Sequence, residues 1–410
     1  MNEQAERARR IALDRLQAPE RDVAHGLELH ADALVFESYG FSPRAAVDGA
    51  AVARLVEDGA SDVEVRETME EMFLSRMVSE PALAREYLEA FEYAGVDCIF
   101  QNAGEECQAP LQLLKRLANF THVTDMLDYM ARVTRPDDIV RAREAGKHCL
   151  YMTANGVPLA QEWKTVEEEL RYVRLLFQLG VRMMHLTYNR RNMLGDGCEE
   201  TSDAGLSDFG VAAVHEMNRC GVIVDVAHSG FRTGIEAAEA SRVPIVASHS
   251  GAHALSGHPR CKPDEVVRAI VERGGTVGVC CIPAFLGGTG DINAFLDHIE
   301  YLARQFGAEA VTIGTDRAYV AQRDGEERRK IPALGKRRTR FEGFWQPDDP
   351  LNHPRWRDGG MQESLAWTNW PVFTVGLVQR GFSDDDIRKI LGGNILRVAR
   401  DVFEARQDAA

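Results

Sequence analysis

The sequence predicts a (β/α)₈ barrel, and three observations lead to this fold. Eight short apolar runs alternate with helix-length amphipathic segments over about 290 residues, a pattern that favours a barrel over a doubly wound sheet. Successive runs are separated by a dozen or more residues, which is the length that a parallel crossover needs. Two histidines, His228 and His249, follow the ends of the fifth and sixth runs. Side chains at such positions share one mouth of a parallel barrel.

The predicted strands come first in the order of the chain. They are residues 29–36, 96–101, 149–153, 181–187, 222–226, 244–247, 275–281 and 310–314. Between them, apolar residues at helical spacing predict helices at residues 62–78, 80–93, 110–131, 136–145, 162–179, 263–273 and 293–306. A charged helix is predicted at the start, over residues 1–24.

The end of the chain departs from this alternation. Residues 318–370 are charged, weakly periodic and rich in Pro, Gly and Trp, which predicts an irregular excursion over the mouth. A helix over residues 384–405 follows, with Ser383 as its N-cap and an acidic first turn. We therefore expect one barrel domain over residues 1–410, with this excursion and a C-terminal helix.

Composition narrows the class of protein. The net charge is −15 and the isoelectric point is near 5.3, which argue against nucleic acid or an anionic membrane as partners and favour a small-molecule substrate. The first residues carry no apolar stretch of signal-peptide length, and no 18 apolar residues run together, so a cytoplasmic location is expected. Eight cysteines without a CxxC pair predict reduced thiols. The oligomeric state, a homodimer among the options, stays open.

The two strand-end histidines admit two interpretations. A lone histidine in this position is more often a hydrogen-bonded structural residue than a ligand. Two histidines at equivalent ends of successive strands favour a shared site, where both imidazoles could meet one metal ion or one substrate.

A resemblance to a known family becomes specific between residues 180 and 260. The segments GVRMMHLTYNRRN, GLSDFGVAAVHEMNRCGVIVDVAHS and PIVASHSGAHALSGHPR resemble the renal (membrane) dipeptidase family of amidohydrolase-like barrels. The closing RGFSDDDIRKILGGNILRV is similar to the C-terminal helix of that family. The resemblance implies a metal-dependent hydrolase that cleaves a dipeptide or a related small amide.

The resemblance also implies roles for single residues. In that family two zinc ions are held by an HxD pair after the first strand, a bridging glutamate after the third, and one histidine after each of the fifth and sixth. His228 and His249 match the last two ligands. Arg260 matches the arginine that holds the substrate carboxylate, and Asp316 matches the aspartate that carries the proton. Tyr188 stands where the family has a histidine beside the substrate.

The chain departs from the family at the other metal ligands. Aligning residues 32–36 with the family's DGHxD places Leu34 and Phe36 where His and Asp belong. An HxD does occur as His30 and Asp32, but at the front of the apolar run, and this register stays an alternative. The bridging glutamate falls on Asn155, or on Ala154 in the neighbouring register, and neither is a good zinc ligand; we expect Asn155 to contact substrate instead.

The missing ligands predict at most one tightly bound zinc ion, or none. Because a catalytic zinc site normally has three protein ligands, a third is needed beside the two histidines. Asp316 is the first candidate, followed by Glu37 and His253. Two hypotheses therefore stand: a metal-dependent hydrolase resembling membrane dipeptidase, or an altered barrel with one metal or none that acts on, or only binds, a small carboxylate-bearing molecule.

Overall fold

The structure is a computed structural model, and it describes residues 2–104, 110–333 and 341–407. Cys107 and the basic run at 336–340 lie outside these ranges. Nine strands form one parallel sheet. They are β1 (Phe36–Gly40), β2 (Cys98–Asn102), β3 (Met130–Arg132), β4 (His148–Ala154), β5 (Val181–His185), β6 (Ile223–Asp225), β7 (Val246–Ser250), β8 (Thr276–Val279) and β9 (Val311–Ile313).

The sheet curls into a nearly closed barrel. Eight strands pair in the order β1-β2-β4-β5-β6-β7-β8-β9, while β3 lies outside this path and pairs only with β4. Backbone bonds just past β1 and β9 bring the two edges together, from Asp316 N–H to Tyr39 O (3.3 Å) and from Phe41 N–H to Arg317 O (3.2 Å). The predicted (β/α)₈ barrel is confirmed, and its mouth lies at the carboxyl ends of the strands.

The helices surround the barrel and cover its ends. They are α1 (Glu3–Leu16), α2 (Glu20–Asp32), α3 (Gly49–Glu57), α4 (Asp62–Ser75), α5 (Pro81–Ala94), α6 (Pro110–Met126), α7 (Pro136–Glu144), α8 (Val166–Gln178), α9 (Asp208–Cys220), α10 (Phe231–Ala240), α11 (His253–Ser256), α12 (Asp264–Glu272), α13 (Pro283–Leu286), α14 (Ile292–Phe306), α15 (Asp324–Arg328), α16 (Gly359–Ser364), α17 (Trp370–Gln379), α18 (Asp384–Arg388) and α19 (Asn394–Glu404). Within the described ranges, none of these helices combines the length and the apolar character that crossing a membrane requires.

Side-chain caps explain where several of these helices begin. Ser61, Thr165 and Ser207 each accept a backbone N–H of the first turn of α4, α8 and α9. Ser383 does the same for α18, as the sequence predicted. The C-terminal helix is continuous in direction but contains a π-helical segment, Lys389–Gly393, between α18 and α19.

The first strand was predicted about one strand length too early in the sequence. Residues 29–32 belong to α2, and β1 begins only at Phe36. Helix α2 packs closely on α17, where a Cβ added to Gly26 would lie 2.6 Å from Val375 Cα. The apolar run at 29–36 thus contains the buried end of a helix followed by the start of a strand. A short apolar run does not show by its periodicity where the helix ends and the strand begins.

This shift removes the alternative HxD register. His30 is buried in α2, where its Nδ1 contacts Thr374 Oγ1 (2.8 Å) and its Nε2 contacts Ala94 O (2.9 Å). Burial lowers the pKa of His30 to about 4, so the ring is neutral. Asp32 is exposed and forms an ion pair with Arg388 at 3.1 Å. Both residues are structural and lie away from the mouth.

The excursion between β9 and α17 covers one side of the mouth. In its described part it contains α15, α16 and short 3₁₀ turns at Phe341–Phe344, Pro350–Asn352 and Pro354–Arg357. Trp345 and Trp356 pack with Phe285 and Cys280 in a small hydrophobic cluster of their own. The excursion thereby brings Trp345 and Leu351 to the wall of the cavity in the mouth.

Candidate metal and substrate site

Three histidines meet at the carboxyl ends of three neighbouring strands. His185 ends β5, His249 lies in β7, and His228 follows β6 by three residues. Each ring offers a nitrogen within 4.8 Å of the others, and all three residues are buried. Within residues 2–104, 110–333 and 341–407, this is the one group of three or more His, Cys, Asp or Glu side chains that could hold a metal ion.

Outer partners set the protonation of His228 and His249. Asn189 Oδ1 lies 2.7 Å from His228 Nδ1, and because an amide oxygen only accepts, His228 Nδ1 carries the proton. Ser248 Oγ donates its proton to the Asp225 carboxylate, so at 2.8 Å it accepts from His249 Nδ1–H. Burial, followed by the charge of Arg260, lowers the pKa of both histidines well below the usual value. Both rings are therefore neutral, with the lone pair on Nε2.

The two lone pairs face each other. His228 Nε2 and His249 Nε2 are 2.9 Å apart. Two unprotonated nitrogens in this position repel one another unless a cation lies between or beside them. Zinc bonds to histidine nitrogen at about 2.0–2.1 Å, so a single ion can reach both atoms. The donor chemistry of the pair fits a metal ion.

His185 supports the pair from one side. Its Nδ1–H donates to Ala154 O at 3.1 Å. Its Nε2 lies 2.9 Å from Asp225 Oδ2 but forms no hydrogen bond with a described residue. Burial opposes the charge on Asp225, yet His185 and Ser248 together hold the pKa of Asp225 below its usual value. Because Nδ1 donates to Ala154 O, Nε2 is the His185 nitrogen that could reach a metal ion shared with His228 and His249, and it would do so in place of its contact with Asp225.

The end of β1 carries aromatic residues where a second set of ligands would be needed. Tyr39 and Phe41 have the spacing of an HxD pair, in place of the Leu34 and Phe36 expected from the sequence. The Tyr39 ring stacks on His249, with ring centroids 3.7 Å apart, and its hydroxyl donates to Asn155 Oδ1 at 2.7 Å. An amide, a phenol and a phenyl ring are poor ligands for zinc.

Two carboxyl groups lie between β1 and β9. Asp316 is half-buried after β9, and burial raises the pKa of its carboxyl to about 6. Its φ of 55° is left-handed, which costs a non-glycine residue about 1–2 kcal/mol and is typical of functional sites. Glu37 is fully buried, accepts from Trp367 Nε1 at 2.8 Å and from Thr315 N–H at 3.1 Å, and serves the packing of β1.

Two cations lie behind the histidines. Arg260 is 1% exposed, and its guanidinium donates to Ala227 O and, at 3.0 Å, to His249 O. Its Nη2 is also 3.3 Å from His228 Nε2. Lys262 Nζ donates to Ser229 O at 2.7 Å, and burial lowers its pKa to about 8.

A cavity of about 340 Å³ reaches the histidine cluster at His228. Tyr39, Asn155, Tyr188 and Asp316 also line it, and Tyr188 stacks on His228 with ring centroids 4.0 Å apart. The other lining residues are Phe41, Ser42, Arg44, Glu70, Phe73, Leu74, Gln101, Asn102, Arg116, Phe120, Ile282, Phe285, Trp345 and Leu351.

The structure brings together most of the residues that the sequence singled out. His228, Asn155, Tyr188 and Asp316 share the cavity, and His249 lies directly beneath His228. Arg260 is adjacent but is held by backbone carbonyls. His253, the other histidine proposed as a third ligand, lies in α11 against Phe231, 5.4 Å between ring centroids.

Sequence reasoning missed four residues of this region. His185 stood inside a predicted strand rather than after it, although the rule that selected His228 and His249 applies to it. Asp225 precedes His228 by three positions and carried a similar signal. Tyr39 was hidden by the misplaced first strand, and Arg44 lies in a loop without a pattern.

A parallel barrel with histidines clustered at its strand ends has the architecture of the amidohydrolase type. Within that class the chain belongs to the membrane dipeptidase family, peptidase family M19, whose family model matches residues 53–334. The match begins after β1, beyond Tyr39 and Phe41.

Curated relatives agree with this assignment. The chain is 25% identical over 338 residues to dipeptidase tcpJ of Claviceps purpurea, covering 81% of this chain and 66% of the relative. It is 30% identical over 245 residues to dipeptidase aclJ of Aspergillus oryzae, covering 58% and 49%. The matches thus span two thirds or less of the length of these relatives.

Solved structures share the fold. An amidohydrolase from Pseudomonas aeruginosa is 26% identical with a TM-score of 0.65, covering 92% of this chain and 99% of that one. A Rhodobacter sphaeroides metallo peptidase, solved with a phosphinate mimic of the dipeptide L-Ala-D-Ala, has a TM-score of 0.61 at 17% identity, covering 90% and 99%. The second likeness concerns the fold alone.

Proposed function

We propose that the protein is a metal-dependent hydrolase that holds one zinc ion through His228 and His249, with His185 as the third ligand, and cleaves a dipeptide or a related small amide bearing a carboxylate. The observation that carries this proposal is the pair of Nε2 lone pairs facing each other at 2.9 Å. Asn189 and Ser248 fix the opposite ring nitrogens as donors, so the arrangement is prepared for a cation.

The proposed stoichiometry of one ion follows from the other side of the mouth. A second ion would need ligands at the end of β1 and near Asn155. Tyr39 and Phe41 stand at the first position, and Asn155 accepts a hydrogen bond from Tyr39. When bound, a single ion would polarise the scissile carbonyl as a Lewis acid.

The residues around the histidines have separate roles in this proposal. Asp316, with its pKa raised to about 6, is ionised at neutral pH and near enough to neutrality to accept and return a proton. It lines the same cavity as His228, where it could meet the reacting group. Tyr188 and Asn155 would contact the substrate. The resemblance assigns the substrate carboxylate to Arg260, whose terminal nitrogens already donate to Ala227 O and His249 O.

One observation favours the alternative of a barrel that binds its ligand without metal. Arg260 Nη2, at 3.3 Å from His228 Nε2, brings a positive charge to that lone pair. A guanidinium so placed could satisfy His228 alone, and the protein would then bind a carboxylate-bearing molecule without hydrolysing it.

Chelation distinguishes the two functions. Protein dialysed against a chelator and then against buffer is tested for hydrolysis of a dipeptide panel, with and without added zinc. We expect the activity to be lost on chelation and restored by one equivalent of zinc. His253→Ala is the matched control, since this histidine lies near the mouth but outside the cluster. Activity that survives chelation, or no hydrolysis of any dipeptide in the zinc-loaded protein, would overturn the proposal.

A further inference from the structure

One arginine of the cavity lining is fixed through its backbone. Arg44 makes no side-chain hydrogen bond and no ion pair with any residue in the described part of the chain, although it lines the cavity and is only half-exposed. Its backbone is held by the bond from Arg44 N–H to Tyr319 O (2.8 Å) and from Ala321 N–H to Arg44 O (2.9 Å). The charges of Glu70 and Asp316 act on the guanidinium without a direct hydrogen bond to it.

Aromatic rings hold this guanidinium in place. Arg44 Cζ lies 4.9 Å from the Phe41 ring centroid and 5.0 Å from that of Phe73. Stacking on ring faces leaves the edge of the planar guanidinium, with its N–H donors, open for a ligand. The neighbouring Arg116 is already committed to Glu70. Among the described residues, the Arg44 guanidinium forms no hydrogen bond, which leaves its N–H donors available to a ligand.

Arg260 differs from Arg44 in its burial and in its hydrogen bonds. Arg260 is the more buried of the two, and its two terminal nitrogens bind the carbonyls of Ala227 and His249. To take up a substrate carboxylate it would have to release these bonds beneath the histidines. The Arg44 side chain makes no hydrogen bond with a described residue that it would have to release.

Arg44 and the reacting groups line one cavity. His228, Asp316 and Arg44 all belong to its lining, and the charges of Arg44 and Asp316 act on one another. The apolar lining includes Phe73, Leu74, Phe120, Phe285, Ile282, Trp345 and Leu351. A ligand that pairs with Arg44 in this cavity therefore places an anionic group at the guanidinium and apolar groups against this lining.

We propose that Arg44 anchors the substrate carboxylate, and that the substrate is a small amide whose acid-bearing residue has an aromatic or branched apolar side chain. The position of the scissile amide in this proposal rests on the proposed function, whereas the binding of an anion by Arg44 does not. A half-buried guanidinium that forms no hydrogen bond with a described residue is costly, and a carboxylate that pairs with it through two N–H donors would offset the cost.

Binding of a matched pair of probes tests the anion site without turnover. The probes are the reduced-amide dipeptide Ala-ψ[CH₂NH]-Phe and the same compound with a C-terminal carboxamide, neither of which has a scissile amide at that position. Calorimetric titration of the protein as purified should show the acid binding about 10- to 100-fold more tightly than the carboxamide, since this is what hydrogen bonds to a charged group are worth.

Variants separate anchoring from packing. Arg44→Gln should abolish the preference for the acid, whereas Arg44→Lys, which keeps the charge and much of the ring packing, should retain a reduced preference. Arg260→Lys is the matched comparison and should keep the preference. A merely structural role for Arg44 would weaken both probes equally.

The outcomes are distinct from those for catalysis. The anchor is overturned if Arg44→Gln keeps the preference for the acid, or if Arg260→Lys loses it instead. It is also overturned if the parent protein binds neither probe or binds both equally well. Should Arg44→Gln fail to fold, the same ratio measured in Arg44→Lys decides. A protein without hydrolytic activity that still shows the Arg44-dependent preference would refute the proposed function and leave the anchor standing.

Discussion

The two sides of the barrel mouth are built from different chemistry. On the side of β5, β6 and β7, three buried histidines converge, and their outer ring nitrogens are held by Asn189, Ser248 and the carbonyl of Ala154. On the side of β1, the same depth is filled by Tyr39 and Phe41, with Asn155 bonded to the Tyr39 hydroxyl. One side presents lone pairs, and the other presents rings and satisfied polar groups.

The difference shows that the two sides can share one packed interior although only one of them offers metal-binding nitrogens. Tyr39 stacks on His249 with ring centroids 3.7 Å apart, so the ring fills the space beside the histidine cluster and holds His249 in orientation. The aromatic side therefore supports the histidine side through packing. The predictions below change one side at a time.

Removal of a ligand from the histidine side should have the largest effect. We expect His249→Ala to lower hydrolytic activity by more than about 100-fold and to release the metal, because even changes behind the ligands typically cost 10–100-fold. Activity and metal content of the purified variant provide the measurement. His253→Ala should behave as the parent. A His249→Ala protein that keeps its metal would show that the facing lone pairs do not define the site.

Restoration of ligands on the β1 side should add a second ion. The triple variant Tyr39→His, Phe41→Asp and Asn155→Glu supplies imidazole and carboxylate donors, and we expect metal content to rise from one to two equivalents. Gly40 is kept, since a Cβ there would lie 2.3 Å from the Glu37 carboxyl carbon. A folded triple variant that still holds one ion would mean that β1 lies too far from the histidines for a paired site.

The buried carboxyl of β1 should make stability depend on pH. Burial raises the pKa of Glu37 to about 8, so the folded chain keeps a proton that the unfolded chain loses above about pH 4.5. The unfolded state then binds fewer protons, and the contribution of Glu37 to stability falls as the pH rises from about 4.5 to 8. Glu37→Gln keeps a neutral side chain and should raise the free energy of unfolding at pH 9 by about 1–3 kcal/mol relative to the parent.

Urea denaturation at pH 5 and pH 9 measures this difference. The exposed Glu89→Gln serves as the control for a charge change without burial. If the free energy of unfolding changes equally between pH 5 and pH 9 in the parent and in Glu37→Gln, Glu37 is ionised in the folded protein.

The smallest effect is expected at the Tyr39 hydroxyl. Tyr39→Phe removes the hydrogen bond to Asn155 and keeps the ring on His249, so we expect a loss of about 1 kcal/mol in the free energy of unfolding with metal content unchanged. Thermal unfolding and elemental analysis check both parts. Loss of the metal in this variant would make the hydroxyl part of the site.

The barrel could be read from the sequence because most of its strands are short apolar runs. His228 and His249 were found because each follows such a run. Strand β1 was misplaced because its sequence, FESYG, is a weak strand signal. A buried glutamate such as Glu37 is unusual in a strand, and it is accommodated here by hydrogen bonds from Thr315 and Trp367, which lie far away in the sequence. Without β1 in its true position, Tyr39 and Phe41 could not be assigned to the mouth.

Arg44 shows a different limit. Nothing in its local sequence distinguishes it from the surface arginines, because its isolation from acceptors depends on Phe41 and Phe73 meeting in three dimensions. His185 was closer to recognition, since it ends a strand, but its part in the cluster depends on the curvature that brings β5 beside β7.

Metal content of the parent protein tests the central claim most directly. Protein purified without added metal, loaded with excess zinc and dialysed, is analysed for zinc per chain by inductively coupled plasma mass spectrometry. The three-histidine site predicts one equivalent. Two retained equivalents would contradict the replacement of the β1 half, and no retained zinc would contradict the assignment of His185, His228 and His249 as a metal site.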